Sequence, residues 1–219
     1  MDLPEFLQPS TDPDYVKVKI CGITNSEDAW WAIENGADAL GFIFYPFSKR
    51  LIDPSIAMSV ISEIPESVTK IGVFVNLPAR EICRIVDRTG IQIAQLHGHE
   101  PPDVINDINV PSIKAIRIKS EESLAEIEMY KPDAFLFDTY KEDAYGGTGE
   151  TFNWDLLKKI NVNVPVILSG GLEPGNIGDA IREVRPFAVD VASGVEAFPG
   201  KKSLQKIETF MSECRNAFK

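Results

Sequence analysis

The chain has 219 residues, 44% hydrophobic and 25% charged, the balance of an ordinary globular domain. Its formal net charge of −11 argues against nucleic acid, whose phosphates call for a basic surface, but leaves room for a small anionic ligand held by local cations and helix N-termini. No apolar run approaches the ~18 residues of a membrane span, and Cys21, Cys83 and Cys214 are too few for a disulfide framework and lack zinc-type spacing, so no membrane, no metal and a reduced, cytoplasmic setting are expected.

Residues 1–14 hold four acids, three prolines and no lysine or arginine. That is not the basic start and apolar middle of a secretory signal. Residues 1–15 are expected to form a loosely ordered extension ahead of a single domain spanning 16–219. From Val16 onward strand and helix patterns alternate. Strands are expected at 16–21, 39–44, 70–75, 92–96, 112–117, 134–138, 164–168 and 187–191, all short, β-branched and nearly all apolar, as strands covered on both faces are. Helices are expected at 26–35, 54–63, 78–89, 101–108, 121–129, 153–160, 175–184 and 203–217. Asp53-Pro54 supplies an N-cap and a proline at the first helical position, and Glu121-Glu122 places acids where a helix dipole favours them. Eight such units match an α/β fold, the (β/α)₈ or TIM barrel. A doubly wound open sheet would show fewer units and a GxGxxG after strand one, where Gly22 stands alone.

In a barrel the loops at the C-terminal strand ends carry the chemistry. Strand one ends on Cys21, followed at once by Gly22 and the helix-start residues Asn25 to Asp28. A sulfur there is either a catalytic thiol or a small buried hydrophobe. Strand six ends on Asp138, a carboxylate costly to bury without partners; it reads as a catalytic group, with a loop cap as the plainer alternative. Ser48-Lys49-Arg50 follows strand two and is either a carboxylate or phosphate clamp or a solvated basic loop. His97 ends strand four and either lines the mouth or packs there. Cys83 and Cys214 fall on apolar helical stripes and read as core residues.

Two glycine loops come late: Ser169-Gly170-Gly171-Leu172 after strand seven and Ala192-Ser193-Gly194-Val195 after strand eight. These are the loops with which barrels commonly hold a phosphate on backbone N–H groups. Gly146-Gly147-Thr148-Gly149 lacks the Gly-Lys-Ser/Thr ending of a nucleotide loop and reads as a turn or lid beside the ligand.

Taken together, Lys19-Ile20-Cys21-Gly22-Ile23-Thr24, Gly41-Phe42-Ile43-Phe44 with Ser48-Lys49-Arg50, Gly72-Val73-Phe74-Val75-Asn76, Gln95-Leu96-His97-Gly98, Gly146 to Gly149, Leu168 to Leu172 and Asp190 to Glu196 with Pro199 to Lys202 resemble the phosphoribosylanthranilate isomerase family of tryptophan biosynthesis. The resemblance spans about residues 16–217 in order. It implies an Amadori rearrangement of a phosphorylated small-molecule substrate, an internal redox reaction by proton movement that calls for no cofactor. It implies Asp138 as general acid and Cys21 as general base. It sets Arg50 against the anthranilate carboxylate and Gly170, Gly171, Ser193 and Gly194 around the phosphate. His97 and Asp190 join the substrate-binding set with no individual role. Lys19, two residues before Cys21 on one strand face and about 6.6 Å away, is expected to help the thiol ionise. Indole-glycerol-phosphate synthase, the histidine-pathway aminoaldose isomerase and a barrel that only binds ligand are the alternatives. The synthase calls for a lysine-based set, and the histidine-pathway isomerase for an aspartate where Cys21 stands. Monomer and homodimer are both compatible with the sequence.

Overall fold

The computed structural model describes residues 3–139 and 154–219, and in it eight parallel strands close into a barrel in chain order. They are β1 (Lys17–Cys21), β2 (Ala39–Ile43), β3 (Thr69–Phe74), β4 (Ile93–Leu96), β5 (Ser112–Ile118), β6 (Ala134–Thr139), β7 (Val166–Leu168) and β8 (Ala188–Val191). Closure sets β1 between β2 and β8, with Lys19 in register with Ala39 on one side and Asp190 on the other.

Around the barrel run α1 (Ser26–Glu34), α2 (Pro54–Ser62), α3 (Ala79–Thr89), α4 (Asp103–Asp107), α5 (Ile177–Val184) and α6 (Leu204–Asn216). Their starts follow local chemistry. Asn25 caps α1 by accepting from the Asp28 N–H, and Asp53 caps α2 by accepting from the Ser55 N–H ahead of a first-position proline. Gly90, left-handed at φ 80°, ends α3. Two expected helices differ: Glu121–Met129 and Trp154–Lys159 are 3₁₀ helices. The physical reason lies in their apolar spacing. Leu124, Ile127 and Tyr130, and likewise Trp154, Leu157 and Ile160, recur every third residue and all pack against the core, a spacing that suits the three-residue turn of a 3₁₀ helix. The Gly146–Gly149 stretch lies outside the described residues.

Alternation along each strand sorts the core into two clusters. Val18, Ile20, Leu40, Phe42 and Phe74 belong to the outer one, under the helices. Ala39, Ile71, Ile93, Ile113, Leu136, Ile167 and Ala188 form the second, inside the barrel. This inner cluster also holds Phe6 and Leu7, which are 1% and 2% exposed. The expectation of a loosely ordered segment over 1–15 is therefore corrected for Glu5–Leu7, a short 3₁₀ turn. The Phe6 N–H donates to Thr69 Oγ1 and Lys17 Nζ donates to the Glu5 carbonyl. The reason is geometric: an eight-stranded barrel leaves its inward side chains open at the N-terminal end, and the two apolar residues cover them.

Cys214 is buried in the core as expected, whereas Cys83 is only half-buried, its Sγ 3.8 Å from the Asp107 carbonyl at the edge of α4. Among the described residues no helix is long and apolar enough to cross a membrane.

Candidate active site

The inward row that is apolar near the N-terminal strand ends becomes polar near the C-terminal ends. Cys21, Arg50, Gln95, His97, Asp138 and Asp190 all line one pocket of about 50 Å³, together with Tyr45, Ser48 and Ser169. A larger groove of about 320 Å³ lies at the other end of the barrel, between Pro9 to Lys17 on one side and Arg185 to Phe187 with Phe218 on the other, and none of these strand-tip residues reaches it.

Cys21 points into the barrel beside Gly41, its register partner on β2. A Cβ at position 41 would stand 2.7 Å from the Cys21 sulfur and 3.0 Å from Lys19 Cε, so only glycine leaves room for the two side chains. The Lys19 ammonium is fully buried and pairs with Asp190 Oδ1 at 2.8 Å, a contact dictated by the β1–β8 register. The second Asp190 oxygen accepts from Ser169 Oγ at 3.3 Å. Burial pushes the Cys21 thiol up, and Lys19 and Lys202 pull it down without overcoming burial. Lys19 thus acts in the direction that favours the thiolate, but burial outweighs it and the thiol stays above its ordinary value. Burial works against the Lys19 charge too, but Asp190, together with the thiolate form of Cys21, holds its pKa above the ordinary lysine value.

Across the pocket His97 Nε2 stands 3.0 Å from Asp138 Oδ2. His97 Nδ1 stands 2.8 Å from Gln95 Nε2, and Gln95 Oε1 accepts from Lys19 Nζ at 2.8 Å. His97 thus belongs to the site and does not merely pack at the strand end.

Arg50 is neither a solvated basic loop nor free. Its Nε and Nη2 donate to the two carboxylate oxygens of Glu196 at 2.7 Å each, a bidentate fork. Glu196 lies on β9 (Glu196–Phe198), which pairs with β10 (Lys201–Lys202) in a hairpin after β8. Burial alone would raise the Glu196 carboxyl, but Arg50 and Lys202 hold it below the ordinary carboxylate range. Lys202, also buried, donates to the Cys21 and Ala192 carbonyls at 2.6 and 3.0 Å. It ties the tip of β1 to the loop after β8. Gly22, at φ 79°, lets the chain turn beneath Arg50, whose Cδ would stand 2.6 Å from a Cβ there.

Gly170 and Gly171 both take positive φ, 89° and 65°. Gly194 lies in a 3₁₀ turn, Ser193–Val195, and a Cβ there would reach 1.9 Å from the Leu172 carbonyl oxygen. The two glycine loops therefore touch backbone to backbone at the β7–β8 edge of the pocket, where Ser169 and Ala192 line it.

Sequence reasoning missed Gln95 and Glu196 as individual functional residues and left Lys202 without a role. A signal for Gln95 existed: a polar residue two places before His97 in an apolar strand must share its face. Glu196 carried none, because its partner Arg50 lies 146 positions away.

Residues 18–213 match the family model for N-(5'-phosphoribosyl)anthranilate (PRA) isomerase. The chain is 47% identical over 196 residues to N-(5'-phosphoribosyl)anthranilate isomerase of Pelobacter propionicus, covering 90% of this chain and 94% of that one. It superposes on the crystal structure of phosphoribosyl anthranilate isomerase from Thermotoga maritima with a TM-score of 0.85 at 42% identity, covering 92% of this chain and 99% of that one. A crystal structure of the isomerase in complex with reduced 1-(o-carboxyphenylamino)-1-deoxyribulose 5-phosphate matches with a TM-score of 0.82 at 40% identity, over 92% and 99% of the two chains. With the barrel and the strand-tip pocket in place, these likenesses show that the chain belongs to the N-(5'-phosphoribosyl)anthranilate isomerase family of tryptophan biosynthesis.

Proposed function

We propose that Asp138 and Cys21 divide the acid and base work of this isomerisation between them. The carrying observation is that the two groups, from β6 and β1, line one buried pocket bounded by Arg50 and the paired glycine loops. Asp138, in its acid form, gives a proton to the furanose ring oxygen as the C1–O bond breaks, leaving an iminium at C1. Cys21, as thiolate, takes the proton from C2. The C2–H electron pair neutralises the iminium, and the enolamine so formed becomes the ketone by gaining a proton at C1 and losing the one on its C2 hydroxyl. Lys19 beside the sulfur, and the cationic iminium once it forms, both stabilise the thiolate against the cost of burial.

Arg50, its fork already held by Glu196, presents its remaining N–H groups to the anthranilate carboxylate. Gly170, Gly171, Ser193 and Gly194 hold the phosphate with backbone N–H groups. The solved relative with a carboxyphenylamino sugar phosphate supports a ligand with those two anionic ends. Asp190 is assigned to holding Lys19, and through it the thiol, in place of a direct substrate contact.

Turnover followed by anthranilate fluorescence tests the assignment. Cys21→Ala and Asp138→Ala should each lower kcat by ~10²–10⁴-fold with product-analogue binding largely kept. Full activity of either variant, or a trapped covalent adduct on Cys21, would overturn the role given to it.

A further inference from the structure

The pocket floor carries a line of hydrogen bonds from the base side to the acid side. Lys19 Nζ donates to Gln95 Oε1, Gln95 Nε2 faces His97 Nδ1, and His97 Nε2 faces Asp138 Oδ2, at 2.8, 2.8 and 3.0 Å. Donor chemistry leaves one way to place the protons along it. An ammonium only donates, so the Gln95 atom turned to Lys19 is its carbonyl oxygen. The amide NH₂ therefore faces Nδ1, which must accept and carries no proton. The ring proton then sits on Nε2 and is donated to Asp138 Oδ2. Gln95 is 1% exposed and Lys19 fully buried, so water does not offer the amide a second arrangement.

We propose that Gln95, oriented by Lys19, is a positioning residue that holds His97 as its Nε2–H tautomer, and that this tautomer favours the transferable proton of the Asp138 carboxyl on Oδ1. Oδ2 already accepts from His97, and a carbonyl oxygen accepts such an N–H better than a hydroxyl oxygen does. Gln95 acts through His97 and touches no reacting atom in this role. The same ammonium that stands beside Cys21 thereby also fixes the acid, so base and acid are set by one buried cation.

The second half of this inference rests on Asp138 being the general acid; the tautomer does not, and it is read without turnover. ¹⁵N NMR of the imidazole reports it, with His99→Asn removing the only other histidine signal. At neutral pH the His97 ring should show a pyridine-type Nδ1 and a pyrrole-type Nε2–H. Gln95→Glu, near-isosteric, turns a carboxylate oxygen toward Nδ1; it should move the proton to Nδ1 and lower kcat at least ~10-fold with KM little changed. A His97 ring protonated at Nδ1 in the unsubstituted background overturns the proposal even if Gln95→Glu fails to fold. So does a folded Gln95→Glu variant that keeps the Nε2–H tautomer. An inverted tautomer with full kcat overturns the link to the acid. Failure of the acid assignment itself would show separately, as full activity in Asp138→Ala with the tautomer unchanged.

Discussion

The two halves of the barrel interior are built from the same strands and held together in opposite ways. Toward the N-terminal ends the inward residues are Ala39, Ile71, Ile93, Ile113, Leu136, Ile167 and Ala188, closed over by Phe6 and Leu7. Toward the C-terminal ends, two residues further along the same faces, they are Gln95, Asp138, Ser169 and Asp190, joined by Cys21 at the tip of β1. The lower half is stabilised by removing apolar surface from water, which is tolerant of small errors. The upper half removes charges from water, and that is affordable only while every group keeps its partner. Apolar burial at one end and paired charges at the other thus share one set of strands.

The sharpest way to break this contrast is Lys19→Met, which strands the Asp190 carboxylate in the interior. It should lose about 3–5 kcal/mol in urea denaturation, whereas Lys19→Met with Asp190→Leu should recover most of the stability and none of the activity. A single variant as stable as the parent would show the upper half to be as tolerant as the lower. Phe6→Ala tests the other end. It should cost about 3 kcal/mol through the cavity it opens, with kcat per folded molecule unchanged; a fall in kcat would join the two halves. Gly41→Ala should cost about 1–3 kcal/mol by overpacking and should lower kcat as well, because its new methyl displaces the Cys21 sulfur.

The smallest effect is on pH. Glu196 is held below the ordinary carboxylate range by Arg50 and Lys202, and Glu100 by Lys114, both against the opposing effect of burial. Groups of lowered pKa stabilise the fold above their unfolded value, ~4.3, and that stability is lost as pH falls through the folded values. Cys21 is raised by burial and Cys214 is pushed up, also by burial, to about 12. Unfolded thiols ionise first, so stability should decline above ~8.5. Denaturation midpoints across pH should show a plateau between these limits, with Cys21→Ala flattening the alkaline side. An alkaline decline unchanged in that variant would place the titration elsewhere.

Much of this was legible in the residues. Strand positions followed from short β-branched runs and helix starts from Asn25 and Asp53, because those signals act over a few residues. Cys21, Asp138 and the two glycine loops could be singled out by their place at strand ends. The two 3₁₀ segments were expected only as helices, because apolar residues three apart fit a turn of either helix type.

The sequence by itself determined eight strand–helix units and which side chains stand at their tips, since chain order and alternation decide both. Tertiary structure alone decided the partners. Closure of β8 onto β1 puts Asp190 beside Lys19 across 171 positions, and the hairpin after β8 brings Glu196 to Arg50 across 146. It also sends Phe6 under the barrel and lines Gln95 up between Lys19 and His97. Pairings at such separations leave no local periodic trace, because they come from the curvature of a closed sheet and not from any stretch of chain.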